Sequence, residues 1–193
     1  MDGFERRREQ KKMSILEAAL SLFMDFGTQK VSVAEIAKKA NVSQVTIYNY
    51  FESKDSLVKE VFKYYVDQIW EEQRKILDSD LPFHEKIKKT AFTKSEATQE
   101  MTNKFYEDFM RDYSAGQSYV EKLYVNEALP KLMTLFNEGR DNGYIDKNIS
   151  NEAILLYLQM FKEYMQREDV SKKIFPLTNE LTHLFFYGIA GKK

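Results

Sequence analysis

Between Ser43 and Ser53 the chain gathers Gln44, Thr46, Tyr48, Asn49 and Tyr50, with Val45 among them. Their amides, hydroxyls and phenols donate and accept hydrogen bonds while staying uncharged at neutral pH. No carboxylate enters the run before Glu52, and it holds no cysteine or histidine. Such a set suits the reading of a polar surface. It lacks the acid, base or nucleophile that catalysis needs and the ligands that a metal needs.

The rest of the chain adds no catalytic constellation. His84 and His183 stand alone, with no partner at the helical spacing that a two-ligand metal site requires. There is no glycine-rich phosphate loop, no Ser-His-Asp order and no paired carboxylate set. We therefore expect no catalytic residue, no metal, no cofactor and no enzymatic activity. A third reading, an enzyme built on a helical bundle, fails on the same absence.

Composition sets the frame. Of 193 residues, 43% are hydrophobic and 31% charged, an ordinary balance for a chain with a packed core. Only 7 glycines and 3 prolines interrupt a sequence rich in helix formers, so the expected class is all-α. Cysteine is absent, which excludes a disulfide scaffold. The charged N-terminus is no secretory signal, and no apolar run approaches the ~20 residues of a membrane span. The expected setting is cytoplasmic, with no membrane partner.

Net charge is −1, unevenly spread: through Tyr65 the chain carries 11 Lys/Arg against 9 Asp/Glu. Arg6, Arg7, Arg8, Lys11 and Lys12 cluster at the start. This is either a solvated, frayed end or a first turn that meets phosphate.

The elements that would position the polar run follow from periodicity and caps. Ile15, Ala18, Ala19, Leu22, Phe23 and Phe26 form one helical face over 12–26, stopped by Gly27. Ser32 and Glu35 form a capping box for a second helix, with Val31 placed to staple onto Ile36. Asn41 supplies a left-handed turn. Ser43 caps a third helix whose Ile47 and Phe51 face inward. Ser53 caps a long fourth helix reaching about Asp78. Further helices are expected over 83–96, 102–113 and 118–142, the last kinked or broken at Pro130. Ser150 caps a strongly apolar helix to about 167, and Pro176 opens a last one to 189. We expect a helix-turn-helix domain over 1–53 and a larger helical domain over 54–193.

Two short capped helices joined by a tight turn after a supporting helix form a helix-turn-helix, which lays its second helix in the DNA major groove. In that setting Gln44 can pair bidentately with adenine, and Val45 or Thr46 can meet a thymine methyl. Tyr48 and Tyr50 can place rings on the sugar–phosphate wall, and Lys54 can meet a phosphate at the start of the fourth helix.

The stretch FGTQKVSVAEIAKKANVSQVTIYNYFESKDSL, residues 26–57, closely resembles the signature of the TetR (tetracycline-repressor-like) family. The matching positions are Gly27, Thr28, Ile36, Ala37, Ala40, Val42, Ser43, Thr46, Tyr48, Phe51, Lys54 and Leu57. Asn41 stands where the family usually has Gly, and Val45 where a small residue is common. The candidate DNA contacts are then Thr28, Ser32, Ser43, Gln44, Val45, Thr46, Tyr48, Asn49, Tyr50 and Lys54.

The resemblance implies a transcriptional repressor that binds double-stranded DNA at a palindromic operator as a homodimer, and leaves it when a small hydrophobic or aromatic inducer binds. It implies a dimer face on the last two helices, about 150–167 and 176–189. The nearly all-apolar run AILLYLQMF supports that face independently. The candidate inducer residues in the middle of the chain are Trp70, Phe109, Met110 and Tyr124. The alternative is a DNA-binding regulator with a filled core and no inducer, controlled by a protein partner or by abundance.

Overall fold

The computed structural model describes residues 3–92, 103–114 and 119–165, together with positions 177, 180, 181, 184, 187 and 188. Among these residues the regular elements are helical. They are α1 (Gly3–Phe26), α2 (Val33–Lys39), α3 (Gln44–Phe51), α4 (Lys54–Leu77), α5 (Phe83–Phe92) and α6 (Asn103–Ser114). There follow α7 (Tyr119–Leu123), a π-helical turn (Tyr124–Ala128), α8 (Leu129–Asp141) and α9 (Asn151–Met165). The last expected helix, 176–189, and His183 lie largely or wholly outside the described residues.

Packing divides the chain into two compact units, residues 1–68 with 96–113, and residues 69–95 with 114–193. This division differs from the one at 53/54 expected from the sequence, because α4 contributes to both units and α6 joins the first.

In the first unit α1 is longer than its apolar face suggested. It starts at Gly3, not Lys12, because the intervening Arg, Glu, Gln and Lys residues are good helix formers. Its lower half buries Ile15, Leu16, Ala18, Ala19, Leu20, Phe23 and Met24. Against these lie Ile36 of α2, Ile47 and Phe51 of α3, and Leu57 and Val61 of α4, all buried. An aromatic box completes the core. Phe62 and Tyr65 on α4 meet Phe105 and Phe109 on α6 edge to face, with ring centres 5.5–5.8 Å apart. The spacings i, i+3 and i, i+4 put each pair on one helix face. Burial pushes the Tyr65 hydroxyl up to about 12, so it stays protonated throughout the working range.

The second unit is built round Phe136, Ile145 and Ile154, with Phe83, Leu132, Met133 and Ile149 packed on them. Gly139 is needed there: a Cβ would stand 2.4 Å from the Phe83 ring. Pro130 acts as the sequence implied, by an unexpected route. Proline cannot donate to a carbonyl four residues back. The preceding turn widens instead, and the Leu129 N–H donates to Tyr124, five residues back.

Phe105 is fully buried, with the rings of Phe62 and Tyr65 edge-on against it. Phe105→Ala should cost about 3–5 kcal/mol. Urea unfolding should show this as a lower midpoint with an unchanged slope.

Candidate nucleic-acid interface

The interface is assembled by three caps and two left-handed residues. Ser32 caps α2: its Oγ accepts from the Glu35 N–H at 3.2 Å, and Glu35 Oε2 accepts from the Ser32 N–H at 2.7 Å. The Ser32 hydroxyl donates to the same oxygen at 2.6 Å. These bonds from Ser32, side chain first and then backbone, hold the Glu35 carboxyl below its ordinary range. A carboxyl depressed by folding stabilises the fold above its unfolded value. That support is lost as pH falls through the lower, folded value.

The turn after α2 is a Schellman motif. The Val42 N–H donates to Ala37 and the Asn41 N–H to Lys38, at 3.0 and 3.3 Å. Asn41 takes the left-handed conformation at φ 53°, as the sequence suggested. Ser43 then caps α3, its Oγ accepting from the Thr46 N–H at 3.0 Å. Glu52, at φ 63°, ends α3, and Ser53 caps α4 by accepting from the Ser56 N–H at 3.1 Å.

Ile47 and Phe51 anchor α3 in the core, which fixes its rotation. Gln44, Val45, Tyr48 and Asn49 are consequently exposed, Val45 at 67% and Tyr48 at 46%. Ser32 and Ser43 are also exposed, and the Ser43 and Thr46 hydroxyls share a hydrogen bond at 2.8 Å. Lys54 is half-buried, its ammonium 3.4 Å from the Gln29 carbonyl.

One expected contact needs correction, and a second has a partner within the chain. Thr28 is 3% exposed, too buried to meet DNA. Its N–H and hydroxyl both donate to Asp108 Oδ2 of α6, at 3.1 and 2.6 Å. Tyr50 is only half-exposed and its hydroxyl is engaged, donating to the Arg8 carbonyl at 3.2 Å. The Arg8 guanidinium stands 6.0 Å from the centre of its ring. Both partners lie far off in sequence, and nothing in the local pattern announces them.

The candidate inducer residues divide between the units. Phe109 and Met110 belong to the first, where Phe109 is held in the aromatic box. Trp70 and Tyr124 belong to the second, where the Trp70 indole N–H donates to Glu127 Oε2 at 2.8 Å. The π-helical turn that carries Glu127 opens at Tyr124.

Comparison with known proteins decides the lineage. Residues 15–61 match the family model of bacterial regulatory proteins of the tetR family. The chain carries the tetR-family domain. The chain is similar to YhgD, an uncharacterized HTH-type transcriptional regulator of Bacillus subtilis (strain 168), at 32% identity over 100 residues. That match covers 51% of this chain and 52% of YhgD, so it spans about half the length of that relative. The HTH-type transcriptional repressor KstR2 of Rhodococcus jostii (strain RHA1) is 23% identical over 77% of this chain and 74% of its own.

Among solved structures, a transcriptional regulator from Cytophaga hutchinsonii ATCC 33406 superposes with a TM-score of 0.61. It is 20% identical, over 92% of this chain and 97% of that one. The ketosteroid transcriptional regulator KstR2 of Mycobacterium tuberculosis gives a TM-score of 0.54 at 18% identity, over 94% and 95%. At these identities the likeness is one of fold. Among the described residues of this chain the fold is all-helical with the helix-turn-helix first.

Asp108→Ala should leave the buried Thr28 donors without an acceptor, at a cost of about 1–3 kcal/mol for each unsatisfied group. Asp108→Asn, which keeps an acceptor oxygen, should cost less. Thermal melts of the two variants measure the difference.

Proposed function

We propose that the protein is a transcriptional repressor that binds a palindromic operator as a homodimer and is released by a small hydrophobic ligand. One observation carries the DNA reading: α3 presents Gln44, Val45, Tyr48 and Asn49 to solvent while Ile47 and Phe51 lock its opposite face. This puts base-reading amides and a methyl-contacting valine on the free side of a capped helix, where a major groove can receive them. Ser43, Thr46 and Lys54 flank that face as phosphate contacts, and Ser32 stands on the surface at the start of α2. Residues 1–53 carry the reading head, and 54–193 the ligand and dimer functions. The protein works in the cytoplasm, beside its DNA.

The dimer reading is supported by α9. Leu156, Tyr157, Met160 and Tyr164 recur at about one turn and are 39–61% exposed, while Ile154 on another face is buried. Leu184 and Tyr187 add exposed apolar surface near the end of the chain. Two-fold symmetry then pairs two reading helices about one DNA turn apart, roughly 34–36 Å or slightly more.

Release by ligand requires different affinity for two conformations. The element that can transmit it is α4, which begins beside the reading helix and contributes residues to both units. Trp70 and Tyr124 of the second unit, and separately Phe109 and Met110 of the first, remain proposed ligand contacts, and an apolar effector fits the ketosteroid regulator named among the structural neighbours. A second reading, control without an inducer, is favoured by Phe109, whose ring already fills the aromatic box.

Selection of bound fragments from random or genomic DNA tests the core of this reading. The expected product is an inverted repeat, and a chain that enriches no duplex sequence would overturn it. Gln44→Ala should relax base preference at one position of each half-site, by about 1–3 kcal/mol. An unchanged motif removes direct readout by Gln44. Titration of the operator complex with a panel of apolar small molecules that includes a steroid should weaken binding for at least one. Uniform indifference to the panel supports the reading without an inducer.

A further inference from the structure

The cationic cluster at the start of α1 has an ordered place. Ile15, Ala18 and Ala19 belong to the face that α1 buries. Counted back along that face in helical steps come Lys11, Arg8, Arg7 and Phe4. The same stripe therefore changes from apolar to cationic as it runs past the core. These residues line one side of a groove of about 920 Å³. Asn41 of the turn and Asn49 and Tyr50 of α3 line the other, and no carboxylate is among the lining residues. Arg7, Arg8 and Lys11 are exposed, whereas Lys12, nearer the middle of the buried face, is half-buried and pairs with Glu60 at 3.5 Å. Tyr50 joins the two sides through its hydrogen bond to the Arg8 carbonyl and its ring beneath the guanidinium. Residues 3–14 precede the stretch that the family model matches.

We propose that this groove seats the sugar–phosphate backbone of one DNA strand beside the site read by α3. Arg7 and Lys11 neutralise phosphates, and Tyr50 is a positioning residue that holds the basic turns of α1 against the reading helix. The inference rests on the DNA-binding reading above. Charge and continuity support it together. The groove is cationic, and one of its walls is α3 itself, so a strand touched by Asn49 continues along it. The Arg7 guanidinium offers a fork that phosphate oxygens can accept, and the Lys11 ammonium a mobile point charge. Phosphate contacts of this kind add affinity and fix register, and they carry no base preference.

The test uses the full chain and its selected operator, titrated across a salt series. Arg7→Gln and Lys11→Gln together keep helix-forming residues and remove both charges. The slope of log affinity against log salt should fall by roughly one for each lost phosphate partner, with the selected motif unchanged. Hydroxyl-radical footprinting should show lost protection on the backbone flanking each half-site and retained protection within it. Tyr50→Ala should reproduce that footprint loss with helicity intact, and Tyr50→Phe, which keeps the ring under Arg8, should restore most of it. A double variant with the wild-type slope and footprint overturns the groove assignment while leaving the regulatory reading standing. Loss of heparin binding with an unchanged operator slope assigns the groove to another polyanion and overturns it too. A wild-type chain that ignores every duplex overturns the regulatory reading itself.

Discussion

A single buried carboxylate, Asp108, ties the reading head to the helix that packs behind it. Where α1 ends, Gly27 turns the chain out of the helical path, and the Thr28 N–H no longer points at a carbonyl of α1. Asp108 Oδ2 accepts both that N–H and the Thr28 hydroxyl, and 6% of the residue is exposed. Lys104 and Arg111 stand 3.6 Å from Oδ1, which keeps the buried charge compensated. Gly27 makes the approach possible. Its φ of +78° suits glycine, and a Cβ there would meet the Lys104 side chain at 2.5 Å. The turn by which the chain leaves α1 toward α2 and α3 is thus tied to α6.

From that joint outward, the interface is a sequence of local decisions. Each short helix has a serine that satisfies one of its first free N–H groups, so α2 and α3 start at fixed residues although seven or eight residues are too few for a stable isolated helix. The turn between them closes because asparagine tolerates the left-handed conformation that most residues resist. Ile47 and Phe51 then set the rotation of α3. The exposed amides and phenol follow from these choices. Nothing in the polar face itself needs to be strained or charged.

These local choices are what made the first third of the chain legible. Capping boxes, apolar spacing and left-handed turns act within five residues, so they are written in consecutive letters. Thr28 was misread for the opposite reason. Its partner is 80 residues away, on a helix whose own pattern shows only an amphipathic stripe. The partner of Tyr50 is also hidden in the sequence, because a helix position between two faces can turn either way. The side it took depends on two turns of α1 that an apolar-face argument does not see. Pro130 falls between these cases. The sequence locates the disruption, and only the backbone shows that a widened turn absorbs it.

The charge of the whole molecule and the charge of its working face are separate quantities. A net charge of −1 gives no general attraction for a polyanion. Salt limits electrostatic reach to about 8 Å at physiological ionic strength, so distant carboxylates on the chain matter little at the interface. What counts is the local density of cations and how firmly they are held. The stripe on α1 supplies both, because the helix that carries it is rooted in the core by its own lower turns. A flexible basic tail would have to give up its conformational freedom on binding DNA. A helix already ordered by folding has lost that freedom beforehand, so more of its attraction for phosphate is retained as affinity.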